Sequence, residues 1–314
     1  MKINIKGKIN AYSRLVLLIV LFILFSVFSK SFGTKSNFEN ILLQQAPFTM
    51  LLALSMTISI VLKGFDLSVG ADVALVSVIV GFVLKATYSP FLAIIAALGV
   101  GMVIGMCNGI LITKVNIQPF IATYSMNWIV RGVALLLLGG KQIYDFGPNF
   151  RPLFINNKFT FFFIAAGVCV VFWFLLQKTI FGKYVYAVGT NTEAAIFSGI
   201  NANMVQFVAW TLCGVILAID AVMYTANLGC AEPVIGESFV LTAIAASLIG
   251  GTSVSGGTGG VYNAVVGALI LVVLSNGMIH VGINSDWQQV VIGGVIILSV
   301  FMEKIFSETQ SDKI

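Results

Sequence analysis

Leu15 to Phe28 reads LVLLIVLFILFSVF. It carries no charge, and its polar and apolar residues do not alternate. A strand of a transmembrane barrel alternates them over about ten residues, so this run is read as helix. Comparable runs recur at 42–62, 68–86, 91–112, 119–139, 159–177, 204–226, 238–252, 260–281 and 287–302. Crossing the hydrocarbon core takes about 20 mainly apolar residues. The pattern predicts an all-α polytopic membrane protein of about ten transmembrane helices. The eighth window, 238–252, is short and reads either as a crossing or as a broken, re-entrant segment.

Composition agrees. Of 314 residues, 59% are hydrophobic and 9% are charged, and the mean hydropathy is +1.03. A soluble domain has about 25% charged residues, so this chain could not cover a globular surface in water. The net charge of +5 comes mostly from scattered lysines. Nucleic-acid binding calls for basic residues clustered on one face, and no such cluster is present. Lys2, Lys6, Lys8 and Arg14 precede the first apolar run, as in a signal peptide. No small-residue cleavage site follows, so the run is expected to stay as a first span with its basic flank in the cytoplasm. That orientation puts Lys63, Lys114, Lys178, Lys183, Lys304 and Lys313 inside. Lys30, Lys35, Lys85, Lys141, Arg151 and Lys158 fall outside. With the N-terminal cluster the bias is positive-inside, though modest, and both termini are cytoplasmic.

Ionisable groups at membrane depth are expensive and often functional. Asp66 lies within a glycine-rich stretch, Gly64 to Gly70 (GFDLSVG), and Asp72 just beyond it. Arg131 lies in the fifth span and Asp220 in the seventh. Gly251 to Gly257 (GTSVSGG) repeats the G-x-x-x-S-x-G frame, and each frame is followed by Asn-Gly, at Asn108 and Asn276. Such stretches suit broken helices lining a polar path, and the asparagine amides suit a hydroxylated solute. Plainer roles compete. Asp66 and Ser68 are placed to cap the next helix. Arg131 has the chemistry to pair with an acid, and Asp220 sits near enough to an outer helix end to reach water. The glycines suit close helix packing.

No catalytic set is visible. GGTSVSGGTGG (Gly250 to Gly260) lacks the lysine of a phosphate-binding loop. Neither an H-E-x-x-H nor a G-x-S-x-G elbow in strand–turn–helix context occurs. The four cysteines have no metal-ligand spacing and His280 is the sole histidine. No cofactor or metal is expected.

One polar segment interrupts the apolar runs: Gly182 to Asn203, GKYVYAVGTNTEAAIFSGINAN. Thr190, Asn191 or Thr192 is placed to cap a short helix beginning near Glu193. An acid in the first turn suits the helix dipole. Ala194 and Ala195 permit close packing, and Gly199 is placed to end the helix. A docking helix and a merely solvated one are both consistent with this.

Several blocks, in order, resemble the permease subunits of bacterial ABC importers of the ribose, galactose and autoinducer-2 type, in the superfamily of branched-chain amino-acid permeases. They are GFDLSVGADVAL (Gly64 to Leu75), Asn108 to Gly140, Gly182 to Asn201, Tyr224 to Gly260, and Asn276-Gly277. The resemblance implies a single transmembrane permease domain over 1–314, with a cytoplasmic coupling loop at about 178–203. It implies a dimer, usually of identical chains, in the bacterial inner membrane. An ATPase subunit would cap each chain, and a soluble periplasmic or extracellular sugar-binding protein would deliver solute. Gly182, Asn191, Glu193, Ala194, Ala195, Gly199 and Ile200 match the coupling segment. Asp66, Ser68, Asn108, Arg131 and Asn276 are the candidates for the pathway. The implied cargo is a monosaccharide, with a ribose-like pentose first. Autoinducer-2, a nucleoside or a branched-chain amino acid are alternatives within the same architecture, and an ATP-independent transporter or channel is one outside it. Thr190-Asn191-Thr192 stands where the family often has Gly-Asn-Pro, GFD replaces GID, and Asp220 falls in a stretch that is usually apolar or small.

Overall fold

A computed structural model describes the backbone of residues 5–144 and 146–311, and the side chains of residues 13–144, 146–284 and 286–301. Lys2, Lys6, Lys8, Lys304 and Lys313, on which part of the charge asymmetry rests, lie outside the described side chains.

The first helix, α1, covers Ile5–Phe28. Helix α2 (Lys35–Asn40), a wide π-helical turn (Ile41–Gln45) and α3 (Ala46–Val61) follow without a break as one apolar span. Pro47 explains the wide turn. Proline lacks an N–H and its ring crowds the carbonyl four residues back, and the looser turn absorbs both. Next come α4 (Val69–Thr87), α5 (Pro90–Thr113) and α6 (Pro119–Leu138). Ser89 caps α5 by accepting from the Leu92 N–H, with Pro90 pre-set for the first turn. The strand β1 (Ile143–Tyr144) and α7 (Phe150–Ile155) lead into α8 (Thr160–Lys178). Helices α9 (Ile180–Thr190) and α10 (Thr192–Phe197) precede the long α11 (Ala202–Leu228). The chain ends with β2 (Cys230–Ala231), α12 (Phe239–Ile249), α13 (Val261–His280) and α14 (Ser285–Ser311).

Among the described residues, seven helices have the length and composition to cross a bilayer. Three shorter apolar helices, Ser13–Phe28, Phe239–Ile249 and Asp286–Phe301, complete the ten expected positions. The span α3 forms the centre. Every residue from Ala46 to Val61 is buried, so α3 is apolar all round and surrounded by other helices. Helix α11 packs on α5 through glycines. A Cβ on Gly101 would strike the Gly214 carbonyl, and one on Gly214 would strike that of Gly101. Dispersion and close backbone approach hold helices together where lipid removes the hydrophobic drive.

The eighth position is not a helical crossing. Helix α12 has 11 residues, about 16 Å at 1.5 Å each, against a core of about 30 Å. Residues 232–238 run without helix from β2 down to the start of α4. There Gly236 meets Gly70 so closely that a Cβ on either would hit the other's carbonyl. The strands β1 and β2 pair antiparallel, Ile143 with Ala231 and Tyr144 with Cys230. They mark one face of the bundle, the β face. Helices α9 and α10 and both glycine frames lie at the opposite one, the α10 face.

Candidate functional site

Helix α10 is short but closed at both ends. Asn191, of the three residues placed to do so, is the cap: its side chain accepts from the Ala194 N–H at 3.0 Å. At the other end Gly199 has φ +82°. Its N–H donates to the Ile196 carbonyl at 2.9 Å, and the Ile200 N–H donates to that of Ala195 at 3.0 Å. This paired closure needs a left-handed residue, which glycine adopts without a Cβ penalty. Glu193 lies in the exposed first turn. Of the alanine pair, Ala194 is exposed and Ala195 is buried against the bundle, so Ala195 belongs to the anchoring side.

The outward side of α10 carries two residues the sequence reading did not single out. Phe197 is 90% exposed and Ile196 is 54% exposed. A large apolar pair on a six-residue helix outside the spans is an unburied contact surface. The signal was present in EAAIFSG, where two large apolar residues interrupt a polar segment.

Helix α9 clamps this unit to the bundle. Gly182 packs onto the end of α8, where a Cβ would strike the Leu176 carbonyl. Gly189 packs onto the end of α3, where a Cβ would strike the Val61 carbonyl. The Gly257 N–H donates to that same Val61 carbonyl at 2.9 Å. The Lys63 ammonium donates to the Thr190 carbonyl at 3.0 Å. The Tyr186 hydroxyl donates to the Gly259 carbonyl at 2.9 Å, and burial raises its pKa, keeping the phenol protonated as a donor. The second glycine frame therefore meets α9 directly, at Gly256 and Gly257, and the first begins one residue beyond Lys63, which bonds to α9.

The first frame continues into a buried polar cluster. Asp66 Oδ1 accepts from the Ser68 N–H at 3.0 Å and from the Ser68 hydroxyl at 2.6 Å. That hydroxyl also lies 3.2 Å from Asp72 Oδ2, and it accepts from the Asn108 amide at 3.0 Å. Ser68 stands at the N-cap of α4 but makes no capping bond there, because its hydroxyl is turned to the carboxylates. Thr123 ties α6 to the same frame, accepting from the Leu67 N–H at 3.1 Å and donating to the Phe65 carbonyl at 2.9 Å. Asp72 Oδ1 and Asn108 Oδ1 are buried without a partner.

Arg131 does not pair with an acid within salt-bridge distance among the described residues. Its guanidinium donates to the carbonyls of Pro233 and Ile235, at 2.9 and 2.8 Å. It thus satisfies the non-helical backbone ahead of α12, the condition for such backbone at membrane depth. Asn276 is not part of the Asp66 cluster. Its side chain accepts from Asn37 at 2.9 Å, near the β face. Asn108 and Asn276 therefore lie at opposite ends of the bundle, and they do not form one polar surface. Asp220 does not reach water: it is fully buried, with neither carboxyl oxygen hydrogen-bonded.

The fold and this face define a multi-pass helical membrane protein with a short, capped helix fastened to its spans. Residues 37–300 match the family described as branched-chain amino acid transport system / permease component. The chain belongs to that family of transport permeases, as the separate sequence blocks indicated. It is similar to the ribose import permease protein of Bacillus subtilis (strain 168), with 37% identity over 308 residues, 96% of this chain and 95% of that protein. It is 35% identical to the ribose import permease protein of Escherichia coli (strain K12) over 300 residues, 92% of each chain. It is 33% identical to the D-allose transport system permease protein of Escherichia coli (strain K12) over 297 residues, 93% of this chain and 91% of that one. No solved structure matches.

Proposed function

We propose that the chain is the membrane subunit of an ATP-driven sugar importer in the bacterial inner membrane, with ribose or a similar monosaccharide as cargo. The relatives named for ribose and allose import support the solute class. The observation that carries the mechanism is α10. It is capped at both ends, exposes Ile196 and Phe197, and is tied to the spans through α9, by the Lys63 bond to Thr190 and the packing of Gly189 on Val61. A rigid, small, apolar foothold suits docking on a separate ATPase subunit. With the N-terminus inside, the α10 face is cytoplasmic and so are both termini.

The working unit is two copies of this chain, two ATPase subunits and a soluble sugar-binding protein on the β face. Residues 1–314 form one permease domain whose loop at about 178–203 is the coupling loop, with Gly182, Asn191, Glu193, Ala194, Ala195, Gly199 and Ile200 shaping it. The chain is not itself an enzyme: ATP is hydrolysed on the partner. A shift of α10 reaches Thr190, Lys63 and then the Asp66–Ser68–Asn108 cluster through bonds within one face. Arg131 supports the path at membrane depth, and Asn276 supports it near the β face.

The test is uptake of labelled D-ribose, D-allose and D-galactose into vesicles holding the chain, its ATPase and its binding protein. Uptake should require ATP. Uptake that continues without the ATPase and collapses with the ion gradient would replace this reading with a secondary transporter.

A further inference from the structure

Close to the β face a cavity of about 210 Å³ lies between the Ile41–Gln45 turn with α3, α11, α12 and α13. Gln44, Gln45, Tyr224, Asn227 and Ser275 help to line it. All five are partly buried, and none of their side chains hydrogen-bonds to another described residue. None of their polar atoms is sealed from solvent without a partner, so each is open to water or to a solute in the cavity. Five at one cavity mark a wet or ligand-facing surface, not packing.

Further observations point the same way. Gln44 and Gln45 belong to the π-helical turn and lie between the buried residues Leu43 and Ala46. Such turns recur at functional sites because they re-aim side chains. The Phe48 and Tyr224 rings, with centroids 4.4 Å apart, supply an apolar wall beside the amides. No Asp, Glu, Lys, Arg or His is among the lining residues. One turn further along α11, on the inward side of Tyr224, Asp220 leaves both carboxyl oxygens unmatched.

Amides and hydroxyls both donate and accept. They match a neutral solute with many hydroxyls, and they offer no counter-charge to an amino acid or a phosphate. We propose that this cavity is a binding station for an uncharged polyhydroxylated solute entering from the β face. Gln44, Gln45, Tyr224, Asn227 and Ser275 are its hydrogen-bonding groups, and the Phe48–Tyr224 pair is its apolar wall. This deepens the importer reading and rests on it.

The experiment uses the whole importer in vesicles, with labelled D-ribose, D-galactose and D-allose as probes. Gln45→Leu removes an amide, and Ser275→Leu fills the cavity with hydrocarbon. Each should lower the initial rate of ATP-driven uptake by about tenfold or more. Assembly with the ATPase and the thermal midpoint of the purified complex should stay as in the unmodified protein. Uptake within about twofold of unmodified in both variants overturns the station and leaves the importer reading standing. If either variant does not assemble, Tyr224→Phe and Asn227→Ala, which each remove one polar function with little change in packing, carry the same test. An unmodified importer that moves none of the three sugars with ATP overturns the importer reading and the station with it.

Discussion

The ammonium of Lys63 lies 3.0 Å from the carbonyl oxygen of Thr190. Lys63 sits just beyond α3, in a left-handed conformation (φ 62°), and Thr190 is the last residue of α9. This contact joins the end of the most buried span to the segment that presents α10. Asn tolerates the left-handed conformation better than most residues, so Lys63→Asn removes the ammonium with little added strain. A hydrogen bond to a charged donor is worth about 1.5–3 kcal/mol before solvent screening. In the reconstituted importer, uptake per ATP hydrolysed should fall by about two- to fivefold, measured as paired transport and phosphate-release rates.

Phe197→Asp and Ile196→Ser should weaken association with the ATPase subunit by about tenfold or more each. Both side chains are largely in water in this chain alone. Insertion and thermal midpoint should therefore remain unchanged. Co-purification and titration with the ATPase in detergent check this. Unaltered affinity in both would remove α10 as the foothold.

Gly199→Val places a β-branched residue at φ +82°. No atom lies within 4 Å of its Cβ position, so the cost is backbone strain alone, about 1–2 kcal/mol. The last turn of α10 should loosen, with faster hydrogen exchange at Gly199 and Ile200 and weaker ATPase binding. Gly199→Asn should show a smaller effect, since Asn visits that region more readily.

Ser68→Ala removes the hydroxyl shared by Asp66, Asp72 and Asn108. It leaves buried polar groups unmatched, costing about 1–3 kcal/mol. The thermal midpoint in detergent should drop by about 2–6 °C. An unchanged midpoint would mean that water replaces the hydroxyl.

Arg131→Lys keeps the charge but replaces the planar guanidinium, one nitrogen of which donates to both carbonyls, with a more strongly hydrated ammonium. Residues 232–238 should then gain hydrogen exchange and protease sensitivity, while α6 stays protected. Arg131→Leu should show the larger change, because both the Pro233 and Ile235 carbonyls lose their partner.

The spans, the absence of a barrel and the caps of α10 were legible in the sequence because each depends on neighbours a few residues apart. Run length decides crossing, and hydrocarbon forces the backbone to bond within its own segment. Gly199 and Asn191 act on carbonyls and N–H groups within a turn. The family was legible for another reason, since several ordered blocks matched at once.

What the chain alone did not reveal is which polar residue meets which. Asn276 pairs with Asn37, 239 residues away, while Asn108 pairs with Ser68. Asp220 turns inward although it lies near a helix end, and Phe197 turns out. Helices such as α3 are apolar on every side, so periodicity does not say how each is rotated about its axis. That rotation comes from glycine contacts such as Gly101 with Gly214 and Gly70 with Gly236. They form only when distant segments are brought together, and with polar pairs such as Asn37–Asn276 they set which side chains face a partner, a cavity or lipid.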